Sequence, residues 1–219
     1  MQIKVTSPGT SDWEAAVHIV RDKYRRAFEA DVQPNPDRFV VCFAPGANGT
    51  EPAAMACAGV TWSSTRALFS ERYLDLPAHM AIQHAEGLES LQRDSVVEIG
   101  SLASAGQRAG AELVRLLPLL CWCLGKRYIL CTATRPLRKL FDEVGTEFTA
   151  LRPADPERLD QRARAAWGGY YAQEPETGYI SLAKMLGQFG RHTGRYSFCN
   201  PVVELVQTAR QEESEHAFA

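Results

Sequence analysis

Two apolar, β-branched runs separated by a single helical stretch limit the fold more than any other feature of this chain. Residues Ser95–Leu102 (SVVEIGSL) and Tyr128–Thr134 (YILCTAT) read as strands. Between them a small-residue loop, Ala103–Gly110, leads into an apolar helix, Ala111–Leu124, that tolerates Pro118 at some cost in backbone hydrogen bonding. YILCTAT is almost continuously apolar, the pattern of a strand covered on both faces. A helix of this length is the kind of crossover that two adjacent parallel strands require. Arg135–Val144 (RPLRKLFDEV) follows as a helix with proline in its first turn and Gly145 as its stop, then a strand at Phe148–Leu151.

Upstream, Ser11–Glu29 reads as a helix opened by a capping pattern at Ser11–Glu14, with a stripe through Ala16, Val17, Val20, Tyr24 and Phe28. Arg38–Ala44 and Ala53–Thr61 form a hairpin, and Leu68–Asp75 and Ala78–Glu89 are short helical pieces. Beyond Pro153, Pro156–Trp167 is helical in pattern, Gly178–Leu186 reads as strand or helix, and the stretch from Gln211 is acidic and frayed. This order describes an α/β domain with a mixed sheet over residues 1–180, and a C-terminal extension, 181–219, packing on it or trailing from it.

Composition matters mainly for what it excludes. With 45% apolar and 23% charged residues the chain can bury a real core. A net charge of −2 offers nothing to nucleic acid or an anionic membrane. The most apolar window, Leu113–Leu124, is broken by Arg115 and Pro118 and is too short to span a bilayer. The first residues carry no secretory-signal pattern, so a cytoplasmic protein with reduced thiols at Cys42, Cys57, Cys121, Cys123, Cys131 and Cys199 is expected. No Cys/His spacing suits a metal, and none is expected.

Several residues invite chemistry. Glu98 sits in the middle of an apolar strand, and alternation with Val97 and Ile99 leaves two answers open: a solvated face, or a buried carboxylate tuned as a general base. The glycines and serines after that strand either bring bare amides to an anion or simply make a tight connection. Arg21 and Arg25 share a helix face that either clamps an anion or is solvated. Trp167, Tyr170 and Tyr171 form an aromatic cluster suited to anchoring a C-terminal segment or to stacking on a substrate. The bare HxxxD at His18–Asp22, the SxxK at Ser181–Lys184, and the His79/His84 pair lack the partners that would give them meaning.

Five ordered blocks, LFSERYLD (Leu68–Asp75), VVEIGSLAS (Val96–Ser104), CTATRPLRKLFDEVG (Cys131–Gly145), LRPADPERL (Leu151–Leu159) and WGGYYAQEP (Trp167–Pro175), together resemble the bacterial thermostable hemolysin family. That family is similar to the GNAT acyltransferase fold and to acyl-homoserine lactone synthases. The resemblance implies a mixed sheet flanked by helices and splayed between its fourth and fifth strands, here Val96–Leu102 and Tyr128–Thr134. The arm of an acyl-carrier protein or acyl-CoA, a co-substrate and not a resident cofactor, would enter the splay.

On that resemblance, Glu98 would take a proton from the amine of a small molecule, such as an amino-acid derivative. Gly100, Ser101, Leu102, Arg108 and Gly110 would hold the donor, and Thr132 and Thr134 would line the acyl pocket. Arg21, Arg25 and Phe28 would hold the acceptor, and Tyr170 or Tyr171 would protonate the leaving thiolate. Two departures stand out. Glu112 occupies the last small position of the phosphate motif beginning at Gln107, which implies repulsion of a pyrophosphate and a carrier-protein donor. Ser101 stands where the lactone synthases carry an arginine, so S-adenosylmethionine bound in their manner is not expected. A membrane-active protein, as the family's name suggests, and a non-catalytic acyl-binding module are the alternatives.

Overall fold

The computed structural model describes residues 1–45, 52–191 and 194–196. Its elements follow in the order β1 (Gln2–Thr6), α1 (Ser11–Phe28), β2 (Arg38–Ala44), β3 (Ala53–Trp62), a 3₁₀ segment Phe69–Tyr73, and α2 (Ala78–Glu86). Then come β4 (Val96–Ser104), α3 (Gln107–Cys123), β5 (Tyr128–Ala133), α4 (Arg135–Val144), β6 (Thr149–Pro153), α5 (Gln161–Ala166), β7 (Glu176–Ser181) and α6 (Leu186–Arg191). The strands form one seven-stranded sheet in the order β1-β2-β3-β4-β5-β7-β6. Every pairing is antiparallel except β4 with β5, the pair joined through α3. Of the sequence at Gly178–Leu186, Gly178–Ser181 is the end of strand β7, which inserts between β5 and β6, and Leu186 opens α6 after a turn.

β2 shows how the layers form. Phe39, Val41 and Phe43 pack on α1 through Trp13, Ala16, Val20 and Tyr24. Val40 and Cys42, pointing the other way, join Leu113, Val114 and Leu117 of α3. Each Val, Leu or Phe among them, fully buried, stabilises the fold by roughly 1.5–3 kcal/mol. Alternation along one strand therefore glues a helix to each face of the sheet. Leu182 and Met185, beyond β7, are buried in the α3 layer.

Several boundaries depart from expectation, among them that the helix read at Pro156–Trp167 is a 3₁₀ turn, Pro156–Arg158, followed by α5. β1 is an additional short edge strand with Val5 exposed, so it carries little apolar signal. The cap of α1 is Thr10, whose hydroxyl accepts from the Trp13 amide at 3.3 Å, and not Ser11. β4 continues to Ser104, and α3 begins at Gln107 instead of Ala111. Gly110, read as a loop glycine, lies inside α3, where a Cβ would come 3.1 Å from the Cβ and Oγ of Ser104. The glycine lets the helix approach the strand, and the expected loop contracts to Ala105 and Gly106.

Cys42, Cys57, Cys121 and Cys131 are buried free thiols and Cys123 is exposed; Cys199 and the acidic stretch from Gln211 lie outside the described residues.

Candidate active site

β4 and β5 are paired only at Val96/Tyr128, Val97/Ile129 and Glu98/Leu130. Past Glu98 they part, β4 staying with β3 and β5 with β7. A bulge in β4 accounts for the divergence. Gly59 of β3 faces Gly100 and Cys57 faces Ala103, so Ser101 and Leu102 share one place in the ladder. Ser101 adopts φ +49°, a left-handed conformation that a serine takes only under constraint. Bulges sharpen local twist, which swings the strand end from its neighbour. Ser101 and Leu102 thus have no register partner on either side.

Two cavities open at this gap, of about 830 Å³ and 910 Å³, within the range of small-molecule sites. Ile99, Gly100, Ser101, Thr132, Tyr170 and Tyr24 line both. The first lies toward α3 and α4 and is walled by apolar side chains such as Val114, Leu117, Leu137, Leu140 and Phe141. The second contains Glu98 and Ser70 and reaches Arg72, Arg162 and Trp167.

Glu98 is only 5% exposed, so the solvated-face alternative does not hold. Val97 and Ile99 do point into the α3 layer, but the opposite face of β4 is roofed by the 3₁₀ segment Phe69–Tyr73. The amides of Phe69 and Ser70 donate to the two oxygens of Glu98 at 2.8 and 2.7 Å. Burial raises the Glu98 pKa above the ordinary carboxylate value, partly opposed by the Ser70 hydroxyl and those two amides.

The Ser70 hydroxyl belongs to a chain. Thr132 Oγ1 donates to Ser70 Oγ at 2.9 Å, and Thr132 and Thr177 Oγ1 lie 2.8 Å apart. Since each hydroxyl has one proton, Thr177 donates to Thr132 and Thr132 to Ser70, which leaves the Ser70 proton to favour the Glu98 carboxylate. Side chains thus link β4 to β5 where backbone pairing has stopped. A second carboxylate fixes the roof. Glu71 accepts from Arg93 at 2.6 and 2.8 Å and from the amides of Leu68 and Ala78. Burial pushes its pKa up, but Arg93 and the amides outweigh this and hold it below the usual range.

The remaining expected residues separate. Gly100, Ser101, Leu102, Gly110, Thr132 and Thr134 line the first cavity, whereas Arg108 is exposed and lines neither. Tyr170 is buried, donates to the Thr132 carbonyl at 3.3 Å, and is held protonated by burial. Tyr171 instead pairs its hydroxyl with Tyr73 at 2.7 Å and lines neither cavity. Arg21 and Arg25 also line neither, and Phe28 lines the first cavity, away from Glu98. The reason is helical phase: each arginine follows a buried stripe residue, Val20 or Tyr24, and is turned about 100° off the face that meets the sheet.

Glu112 requires a further correction. Its carboxylate is held by Arg115 at 2.9 Å, by Arg195, and by the Tyr196 hydroxyl at 3.2 Å. It is not a bare charge awaiting a phosphate, and it gives no preference for a carrier-protein donor over CoA. Ser70, Thr177, Arg72 and Arg162 carried no local signal, because their place at the site depends on contacts between remote segments. Trp167 does serve as an anchor, packing on Tyr24, Phe69 and Tyr170, yet it also lines the second cavity.

Among the described residues no His/Cys/Asp/Glu group is arranged to hold a metal ion, and no helix is long and apolar enough to cross a membrane. The sequence profile described as Thermostable hemolysin matches residues 6–186. No curated protein matches the chain. Among solved structures, it is similar to FeeM, an N-acyl amino acid synthase from uncultured soil microbes (12% identity, 86% of this chain and 99% of that one, TM-score 0.53). It is also similar to the CoA-dependent acyl-homoserine lactone synthase BjaI with SAM and isopentyl-CoA (12%, 88% and 89%, TM-score 0.53). The acyl-homoserine lactone synthase LasI is a third likeness (11%, 83% and 89%, TM-score 0.52). At such identities the likeness establishes a common GNAT-like fold.

Proposed function

The chain belongs to the thermostable hemolysin family, and from that premise we propose that it is an N-acyltransferase. It would move an acyl group from a carrier-protein or CoA thioester to the amine of a small molecule such as an amino-acid derivative. The observation that carries this reading is the parting of β4 from β5, with an apolar cavity on one side of the gap and a buried carboxylate on the other. Fold likeness to N-acyl amino acid and acyl-homoserine lactone synthases supports it.

In this proposal the acyl chain lies in the cavity under α3 and α4, with Thr134 and Leu102 on its wall. The pantetheine arm leaves along the start of α3, past Gly110 toward Arg108. The thioester carbonyl sits at the bulge Gly100–Leu102, whose amides stabilise the developing oxyanion. The amine approaches from the second cavity. Glu98, directly or through a water, takes its proton; nitrogen bonds to the carbonyl carbon, the C–S bond breaks, and Tyr170 protonates the thiolate. Ser70, Thr132 and Thr177 position the base by directing their hydroxyl protons toward it. A buried carboxylate with a raised pKa is the stronger base for this task. Residues 1–180 would carry the reaction, in the cytoplasm.

Intact-mass screening of acyl-carrier proteins and acyl-CoAs against pooled amines tests the proposal: the expected result is an amide product with release of free thiol. Dye release from liposomes by the protein alone, without any thioester, would favour a membrane-active protein. Binding of thioesters that raises the melting temperature without turnover would favour an acyl-binding module.

A further inference from the structure

The second cavity contains two guanidinium groups with no anionic partner among the described residues, and their setting identifies the acceptor's chemistry. Most of the other charged groups nearby are satisfied, the exception being the exposed Asp31, which lines the same cavity without an ion pair to either arginine among the described residues. Arg66 is paired with Asp37 at 3.0 Å, and Glu71 with Arg93. Asp160 caps α5 by accepting from the Ala163 amide at 2.8 Å. Around α5, Arg152 and Arg158 are paired with Asp75, and Arg164 with Glu157. Arg72 and Arg162 have no such ion pair, yet both line the cavity that holds Glu98.

Arg72 is also pre-positioned. In a 3₁₀ segment, side chains three apart eclipse, so Arg72 lies over Phe69, its guanidinium carbon 5.1 Å from the ring centroid. Phe69 in turn packs on Trp167 at 5.3 Å. The ring holds the guanidinium in place, and the Arg72 N–H groups have no ion pair among the described residues, which suits them to a planar oxyanion. The same segment presents the Phe69 and Ser70 amides to Glu98, so one rigid element holds both the base and a cation. Arg162 lies on α5, just before Ala163 and Trp167, which line the same cavity.

We propose that the acceptor is an amine bearing a carboxylate, held by Arg72 and Arg162 against the Phe69–Trp167 wall with its nitrogen toward Glu98. This rests on the acyl-transfer reading for its role in catalysis, but its binding is testable without any donor. The probes are free α-amino acids and their carboxamides, titrated into the full chain by calorimetry and then assayed for acylation. At least one amino acid should bind about tenfold or more tightly than its carboxamide. Arg72→Gln combined with Arg162→Gln should erase that difference by weakening the acid while leaving the amide unchanged. Both positions are exposed, so the fold should survive, which an unchanged melting temperature would verify. Equal binding of acid and amide, persistence of the preference in the double variant, or no binding by any amino acid would overturn the inference. Selective acid binding without acyl transfer from any thioester would leave this site standing and remove the acyltransferase reading. Acylation of carboxamides as readily as acids would do the reverse.

Discussion

Ser70→Ala removes the one hydroxyl that joins Glu98 on β4 to Thr132 on β5 across the gap. A hydrogen bond to a charged group contributes about 1.5–3 kcal/mol, and one to a neutral group about 0.5–1.5 kcal/mol. The hydroxyl therefore stabilises the ionised Glu98 over the protonated form by roughly 1–1.5 kcal/mol, about one pH unit. The direction follows from the wild-type site. The Glu98 pKa is already raised in the folded state, so its protonated form favours folding, and stability falls as pH rises from the ordinary carboxylate range through the raised value. Without Ser70 Oγ the folded-state value rises further, and more stability is lost over that window. The variant should thus melt slightly below wild type at low pH and clearly below it at pH 8, the difference widening by roughly 2–5 °C for a chain of this size. Scanning calorimetry from pH 4 to pH 8 measures this without a substrate. Once a substrate pair is known, the acid limb of kcat/KM should move up by about one pH unit. A melting difference constant across the range would refute the assignment of Ser70 to Glu98, and rescue by Ser70→Thr would reinforce it.

Glu98→Gln should lower kcat about 10²–10⁴-fold with little change in KM for the thioester, read by steady-state kinetics; retained turnover would exclude Glu98 as the base. Leu140→Trp narrows the first cavity from its α4 wall and should shift preference toward shorter acyl chains, by about 0.8 kcal/mol of binding for each methylene excluded. Competition between donors of different length reports that shift, and an unchanged preference would place the chain elsewhere. Gly178→Ala sets a Cβ 2.2 Å from the Thr149 carbonyl oxygen and 2.6 Å from Phe148. It should destabilise by about 1–3 kcal/mol or more in a denaturant melt, because β7 is confined between β5 and β6; wild-type stability would contradict that confinement.

Local rules determined much of this protein. The apolar runs at Arg38–Ala44 and Tyr128–Thr134, and the proline start and glycine stop of Arg135–Val144, appear almost residue for residue as β2, β5 and α4. Each depends on short-range periodicity or on the backbone preference of one residue, which is readable from a dozen neighbours. Connectivity through α3 permits the parallel pairing of β4 with β5 but does not impose it, since β1 and β2, joined through α1, pair antiparallel. Glu98 was recognisable as a carboxylate out of place, but its environment was not, because burial depends on what covers the strand. Tertiary contact decided that: a segment near residue 70 roofs β4, and residues 132 and 177 complete the hydroxyl chain. It also removed Arg21, Arg25 and Tyr171 from the two cavities and brought Arg72 and Arg162 to one of them. Charge and residue type are properties of the sequence, but whether a charge meets a partner, a cavity or water depends on which distant surface folds against it.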